Sequence, residues 1–178
     1  MEQKLFSDSE VFQKERPKGL TQQQEDTFYL EQARDLIKNG YSEDEEEDVA
    51  EDLRYLYPFN DNGFEMAQSL EGTNRKAYYD IDTQFCEWLD CLHFAYSKIE
   101  RKNVLDWVAA HNPQPKFETG TKLLIVENLN HKLKKDMIVY INGGRPEEAV
   151  YWINVDPNVY GGTVIAYEKV EKCCAVSE

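Results

Sequence analysis

Cys86, Asp90 and His93 come nearest, by type and spacing, to a metal or acid–base site in this sequence. On a helix these three positions share one face, and Asp90-x-x-His93 has the spacing used in carboxylate-bridged di-metal bundles. Such a centre needs matching ligands from other helices. The remaining histidines, His111 and His131, fall at a domain junction and in a turn, and no second acid-x-x-His occurs. The triad therefore reads as a polar flank beside an apolar stripe, with Cys86 partly buried. Asp80-x-Asp82 with Glu87 has the charge for a divalent cation, but no calcium-loop spacing follows and the pair suits a helix start better.

Nucleophilic chemistry finds less support. The sequence has no Gly-x-Ser-x-Gly and no cysteine beside a histidine with an orienting third group. Gly143-Gly144-Arg145 and Gly161-Gly162 resemble phosphate loops, but strands follow them where a phosphate loop leads into a helix N-terminus, so they read as hairpin turns. No catalytic, cofactor or metal residue is assigned, and the expectation is a protein that is not an enzyme.

Charge carries the stronger signal. The 178 residues hold 20 basic and 34 acidic side chains, a net charge of −14. Residues 1–112 account for 25 acids and 12 bases, residues 113–178 for 9 and 8. A surface this acidic repels nucleic acid and anionic membrane and favours basic partners or plain solubility. Eight acids crowd positions 43–52: Glu43, Asp44, Glu45, Glu46, Glu47, Asp48, Glu51 and Asp52. The run reads as a solvated helix start, favoured by the helix dipole. It also reads as a docking patch for a basic protein surface, with Tyr55 and Tyr57 as aromatic anchors. In its sharpest form it is a nucleic-acid mimic, its carboxylates standing in for phosphates. Tyr78 and Tyr79 suit an interface or a core equally. The opposite reading, a nucleic-acid contact, rests on the C-terminal third alone: Lys134, Lys135, Arg145 and Trp152, with Lys132, Tyr140, Tyr151 and Tyr160 nearby. Tyr151 and Trp152 are adjacent in a strand, so one faces in and the other out.

The elements that would position these residues divide in two. Residues 1–19 read as a polar arm. Thr21, with Gln24 three positions on, predicts a capping box for a helix bearing Phe28, Leu30, Ala33, Leu36 and Ile37, closed by Asn39-Gly40. Ser42 is the expected cap of a second helix burying Val49, Leu53 and Leu56, which Tyr57-Pro58 ends. Asp61-Asn62-Gly63 leads into a short helix carrying Phe64, Met66, Ala67 and Leu70. From Asp80 to Asn112, Phe85, Trp88, Leu89, Leu92, Tyr96 and Ile99 recur at spacings of three and four, the main buried stripe of about two helices capped by Asp82 or Thr83.

Pro113-Gln114-Pro115 stops the helical pattern. Beyond it, β-branched and aromatic runs at 122–127, 137–141, 149–155 and 163–170 alternate with Asn- and Gly-rich turns, the mark of an antiparallel meander. With Phe117-x-x-Gly120 before the first run, the arrangement resembles an SH3-type or KOW-type barrel, which implies a small closed sheet. The expected fold is thus α+β: an acidic helical domain of about five helices over 20–112, a small antiparallel SH3-like β-barrel over 116–171, and a tail at 172–178. Cys86, Cys91, Cys173 and Cys174 lack disulfide or zinc spacing, and no apolar run resembles a signal peptide or membrane span, which predicts a reducing, cytoplasmic setting. The function expected is binding of a basic protein by the acidic helical surface, as an adaptor or an inhibitor of the kind found in phages. A nucleic-acid-binding barrel is the alternative.

Overall fold

Thr21 starts the first helix as its spacing predicts. In the computed structural model, which describes residues 16–178 except 58, 60, 73, 74, 160, 177 and 178, α1 spans Gln22–Lys38. Thr21 Oγ1 accepts the Gln24 amide while the Gln24 side chain accepts the Thr21 amide. Two orphan donors are satisfied reciprocally. At the far end Gly40 takes a φ of +82°, and the amides of Gly40 and Tyr41 return to the carbonyls of Ile37 and Leu36. That pattern needs a left-handed residue, which glycine supplies without a Cβ clash.

The second helix, α2, spans Glu46–Arg54 and begins later than expected. Ser42 is not its cap: it is buried, its hydroxyl receives the Asp44 amide, and Glu45 takes the cap position without a side-chain bond. α3 spans Gly63–Leu70, with Asn62 and Glu65 forming a second capping box. Its buried stripe is Gly63, Met66, Ala67 and Leu70, while Phe64 faces solvent. The expected pair of helices after Asp80 is a single one, α4, Thr83–His111, capped by the Asp82 carboxylate on the Phe85 amide at 2.7 Å. Phe85, Leu89, Leu92 and Tyr96 are buried and fasten one apolar cluster with Phe28, Leu36, Val49, Leu53 and Leu70. Four α-helices stand where about five were expected among the described residues.

Five strands follow: β1 Lys122–Ile125, β2 Ile138–Arg145, β3 Val150–Asn154, β4 Thr163–Ala166 and β5 Cys173–Ala175. They form one antiparallel sheet in the order β4-β3-β2-β1-β5. The fold is α+β. The sheet is open rather than a closed barrel, since β4 and β5 lie at opposite edges. Cys173–Ala175, assigned to a tail by the sequence, is the fifth strand and pairs with β1. Gly143-Gly144-Arg145, expected in a hairpin turn, lies inside β2 after a bulge between Ile141 and Gly143. The turn falls instead on a 3-10 turn, Pro146–Glu148, with Ala149 at a φ of +49°. A Cβ on Gly144 would sit 2.4 Å from the Val150 carbonyl oxygen, so the glycine permits close strand pairing and not a turn.

The compact units divide inside α4, between Asn103 and Val104, where the sequence placed a junction at 113–115. The reason is Trp107 and Val108, which belong to the sheet's apolar cluster with Leu123, Val139, Ile141 and Ile153. Arg16 belongs to that unit too, its guanidinium bonded to the Ala149 and Glu148 carbonyls and the Glu168 carboxylate. The rest of the predicted arm, 1–15, lies outside the described residues.

Candidate interaction surface on the helical unit

The acidic run separates into three groups when each carboxylate's partner is traced. Asp52 leaves the surface altogether. It is fully buried, accepts the amides of Lys76 at 3.0 Å and Ala77 at 3.1 Å, and takes the Tyr79 hydroxyl at 3.1 Å. A buried carboxylate is tolerable only when its lone pairs are filled in this way. Asp52 is a strut, a correction to its expected place in a docking patch.

Four further acids are engaged at the surface. Asp44 accepts the Tyr78 amide and the Ser42 hydroxyl. Glu46 pairs with Arg34 at 2.7 Å. Lys76 Nζ lies 2.7 Å from Glu51 and 3.9 Å from Asp48, and the Glu51 bond raises the Lys76 ammonium above its ordinary pKa. The third group is Glu43, Glu45 and Glu47. All three are exposed, and among the described residues none makes an ion pair or a side-chain hydrogen bond.

These bonds run the segment Arg75–Tyr79 as a strap alongside α2. Tyr78 projects from it at 81% exposure, while Tyr79 turns inward at 6%. Arg75 stacks over the exposed Tyr55 ring at 5.0 Å, which holds Tyr55 to the strap. Tyr57, half-exposed, belongs elsewhere: its ring packs on Phe59 and Tyr96 at 5.7 and 5.2 Å. Two residues apart on a turn, Tyr55 and Tyr57 face different neighbours. A groove of about 720 Å³ follows the strap, walled by Asp44, Leu70, Glu71, Lys76, Tyr78 and Ile81. Sequence reasoning missed the groove. Its one available signal was the basic-aromatic run Arg75-Lys76-Ala77-Tyr78-Tyr79, opposite in charge to the acids that it crosses.

The other candidate residues are dispersed or occupied. Asp90 accepts the Gly63 amide at 2.6 Å and His93 packs edge-on to Phe94. No group of three metal-ligating side chains occurs among the described residues. In the sheet unit, Tyr151 is buried and Trp152 only partly buried, in keeping with their opposite faces on the strand. Trp152 pairs with Gly143 and borders a cleft of about 610 Å³ with Phe117, Asn142, Pro146 and Tyr167. Lys134 and Lys135 are exposed in the loop before β2, where Asn128 and Asn130 bind the amides of Lys135 and Lys132. From Ile138, where β2 begins, to Gly143 is about 17 Å of strand, so those lysines do not converge on Trp152. Arg145 is paired with Glu148 at 3.1 Å. Tyr160 lies outside the described residues.

No family model, curated protein or solved structure gives a significant match to the chain. No helix is long and apolar enough to cross a membrane among the described residues.

Proposed function

We propose that this chain is a non-enzymatic, intracellular protein-binding protein whose acidic helical surface docks a basic protein. One observation carries the reading. Within a single acidic run, the carboxylates with intramolecular partners stand beside three, Glu43, Glu45 and Glu47, that have none among the described residues, next to the exposed rings of Tyr55 and Tyr78. Solvated carboxylates raise the association rate of a cationic partner, and exposed tyrosines supply buried contact area once it arrives. The groove beside Tyr78 offers that partner a seat.

An adaptor or inhibitor role is the concrete version. In the narrower form the carboxylates compete with phosphates for lysines and arginines, as a nucleic-acid mimic from a phage would. Nucleic-acid binding through the sheet unit is less well supported, because its basic loop and Trp152 lie at different ends of β2 and Arg145 is already paired.

Affinity capture of the intact protein from lysate at low and high salt tests the reading. A basic protein retained at low salt, released by high salt and lost with Glu43, Glu45 and Glu47 all changed to Gln is the expected result. Retention indifferent to those three changes overturns it. Nucleic-acid-binding enzymes among the captives would support the mimic, and retained RNA or DNA without protein would move the function to the sheet unit.

A further inference from the structure

The register of the sheet fixes which way the β4 backbone faces. Val150 lies across from Ala166, Tyr151 from Ile165, Trp152 from Val164 and Ile153 from Thr163. One step beyond, the Tyr167 amide donates to the Ala149 carbonyl at 2.9 Å, which marks that pair as hydrogen-bonded. In an antiparallel ladder bonded and non-bonded pairs alternate, so Ile165 and Thr163 bond to β3 while Val164 and Ala166 do not. The N–H and C=O groups of Val164 and Ala166 therefore point out from the sheet. β4 is the terminal strand in the order β4-β3-β2-β1-β5, with no strand beyond it among the described residues.

We infer that this edge pairs with the same edge of a second copy of the chain. A two-fold axis through Ile165 sets Val164 opposite the second copy's Ala166, and Ala166 opposite its Val164. Each pair exchanges two hydrogen bonds, about four in all, so the edge is complementary to itself. Protein edges are ordinarily blocked against such pairing by lysine, proline, a bulge or an inward charge. β4 reads Thr163-Val164-Ile165-Ala166 and carries none of these, and Val164 is 46% exposed. Charge selects the occupant. The helical unit, 17–103, holds 20 acids against 9 bases, whereas the remaining residues hold 14 against 11. Two copies meeting at β4 pair through the nearly balanced units, so the units that carry the paired strands add little like-charge repulsion of their own. The opposite edge, β5, is a strand of three residues that continues directly from a 3-10 turn and offers a shorter ladder.

Sedimentation velocity of the intact chain from micromolar to millimolar concentration is the test, read beside amide exchange. A concentration-dependent dimer is expected, with the Val164 and Ala166 amides gaining protection as it forms. Val164→Pro removes an outward N–H and leaves the bonds to β3 intact, so it weakens the dimer about tenfold or more while the circular dichroism spectrum is kept. Val164→Lys does the same by charge, with its side chain on the exposed face. A chain that is monomeric throughout, or a dimer untouched by Val164→Lys, overturns the inference. Unfolding by Val164→Pro overturns the register on which it stands. A monomer whose edge amides become protected only when an extended peptide is added assigns the edge to a foreign strand.

Discussion

The carboxylate of Asp52 and the hydroxyl of Tyr79 meet at 3.1 Å inside the helical unit, and the contact fixes where the acidic surface ends. Asp52 belongs by sequence to the acidic run and by structure to the core. Through Lys76 and Ala77 it sets the strap against α2, and the strap presents Tyr78 outward.

Asp52→Ala is expected to strip three donors of their acceptor at once. An unsatisfied buried donor costs about 1–3 kcal/mol, so a loss of about 3 kcal/mol or more is expected as a lower urea midpoint. Asp52→Asn keeps one acceptor oxygen and loses less. A midpoint unmoved by Asp52→Ala would remove the strut from this account.

Alkali should destabilise the fold through its buried tyrosines. Burial pushes Tyr29 up to about 12, with the Glu25 charge adding to it, and burial followed by Asp52 raises Tyr79. Burial also raises Tyr96, whose hydroxyl donates to Glu25 at 2.9 Å. In the unfolded chain these phenols ionise near pH 10. The unfolded state thus binds fewer protons above that pH, and the stability present below it is lost as pH rises toward the native values. Urea midpoints should hold up to about pH 10 and then fall, in step with tyrosinate absorbance on unfolding. A midpoint flat from neutrality to pH 12 would contradict the burial of these rings.

Gly63 opens α3 against the α4 backbone, and a Cβ there would fall 1.9 Å from the Cys86 carbonyl oxygen. Backbone cannot rotate away as a side chain can. Gly63→Ala should force α3 off α4 and cost about 3 kcal/mol, beyond the usual effect of a glycine-to-alanine change. Loss of the Asp90 bond to the Gly63 amide would accompany it, visible as faster exchange of that amide.

Much of this architecture was legible because local signals agreed with tertiary ones. Thr21-x-x-Gln24 and Asn62-x-x-Glu65 fold as capping boxes, and Phe85, Leu89, Leu92 and Tyr96 are buried at their expected spacing, with Trp88 of the same stripe only partly buried. The departures share one cause, a long-range partner that the spacing does not show. Gly143-Gly144 has turn composition, but the Val150 carbonyl and the Trp152 ring fill the space that a Cβ would need. Cys173–Ala175 is too short to announce itself as a strand and is one only through its pairing with β1. Asp52 is one carboxylate among eight in the acidic run. Only the return of Arg75–Tyr79 across α2 distinguishes it.

Glu43, Glu45 and Glu47 should behave in the opposite way to Asp52. Changing all three to Gln removes like charges with no partner among the described residues, which relieves repulsion in a chain at −14. Glu47 sits in the first turn of α2, so its loss also gives up a favourable term with the helix dipole, about 0.3–1 kcal/mol at an exposed site. The two effects oppose each other, and the urea midpoint should shift by no more than about 0.5 kcal/mol in stability. Residual differences should shrink as salt is added, since solvated charges are screened. The comparison matters for function, because the triple variant then reports on binding with the fold intact. A large destabilisation by these three changes would mean that they are structural like Asp52, and the acidic run at 43–52 would lose the carboxylates that have no partner among the described residues.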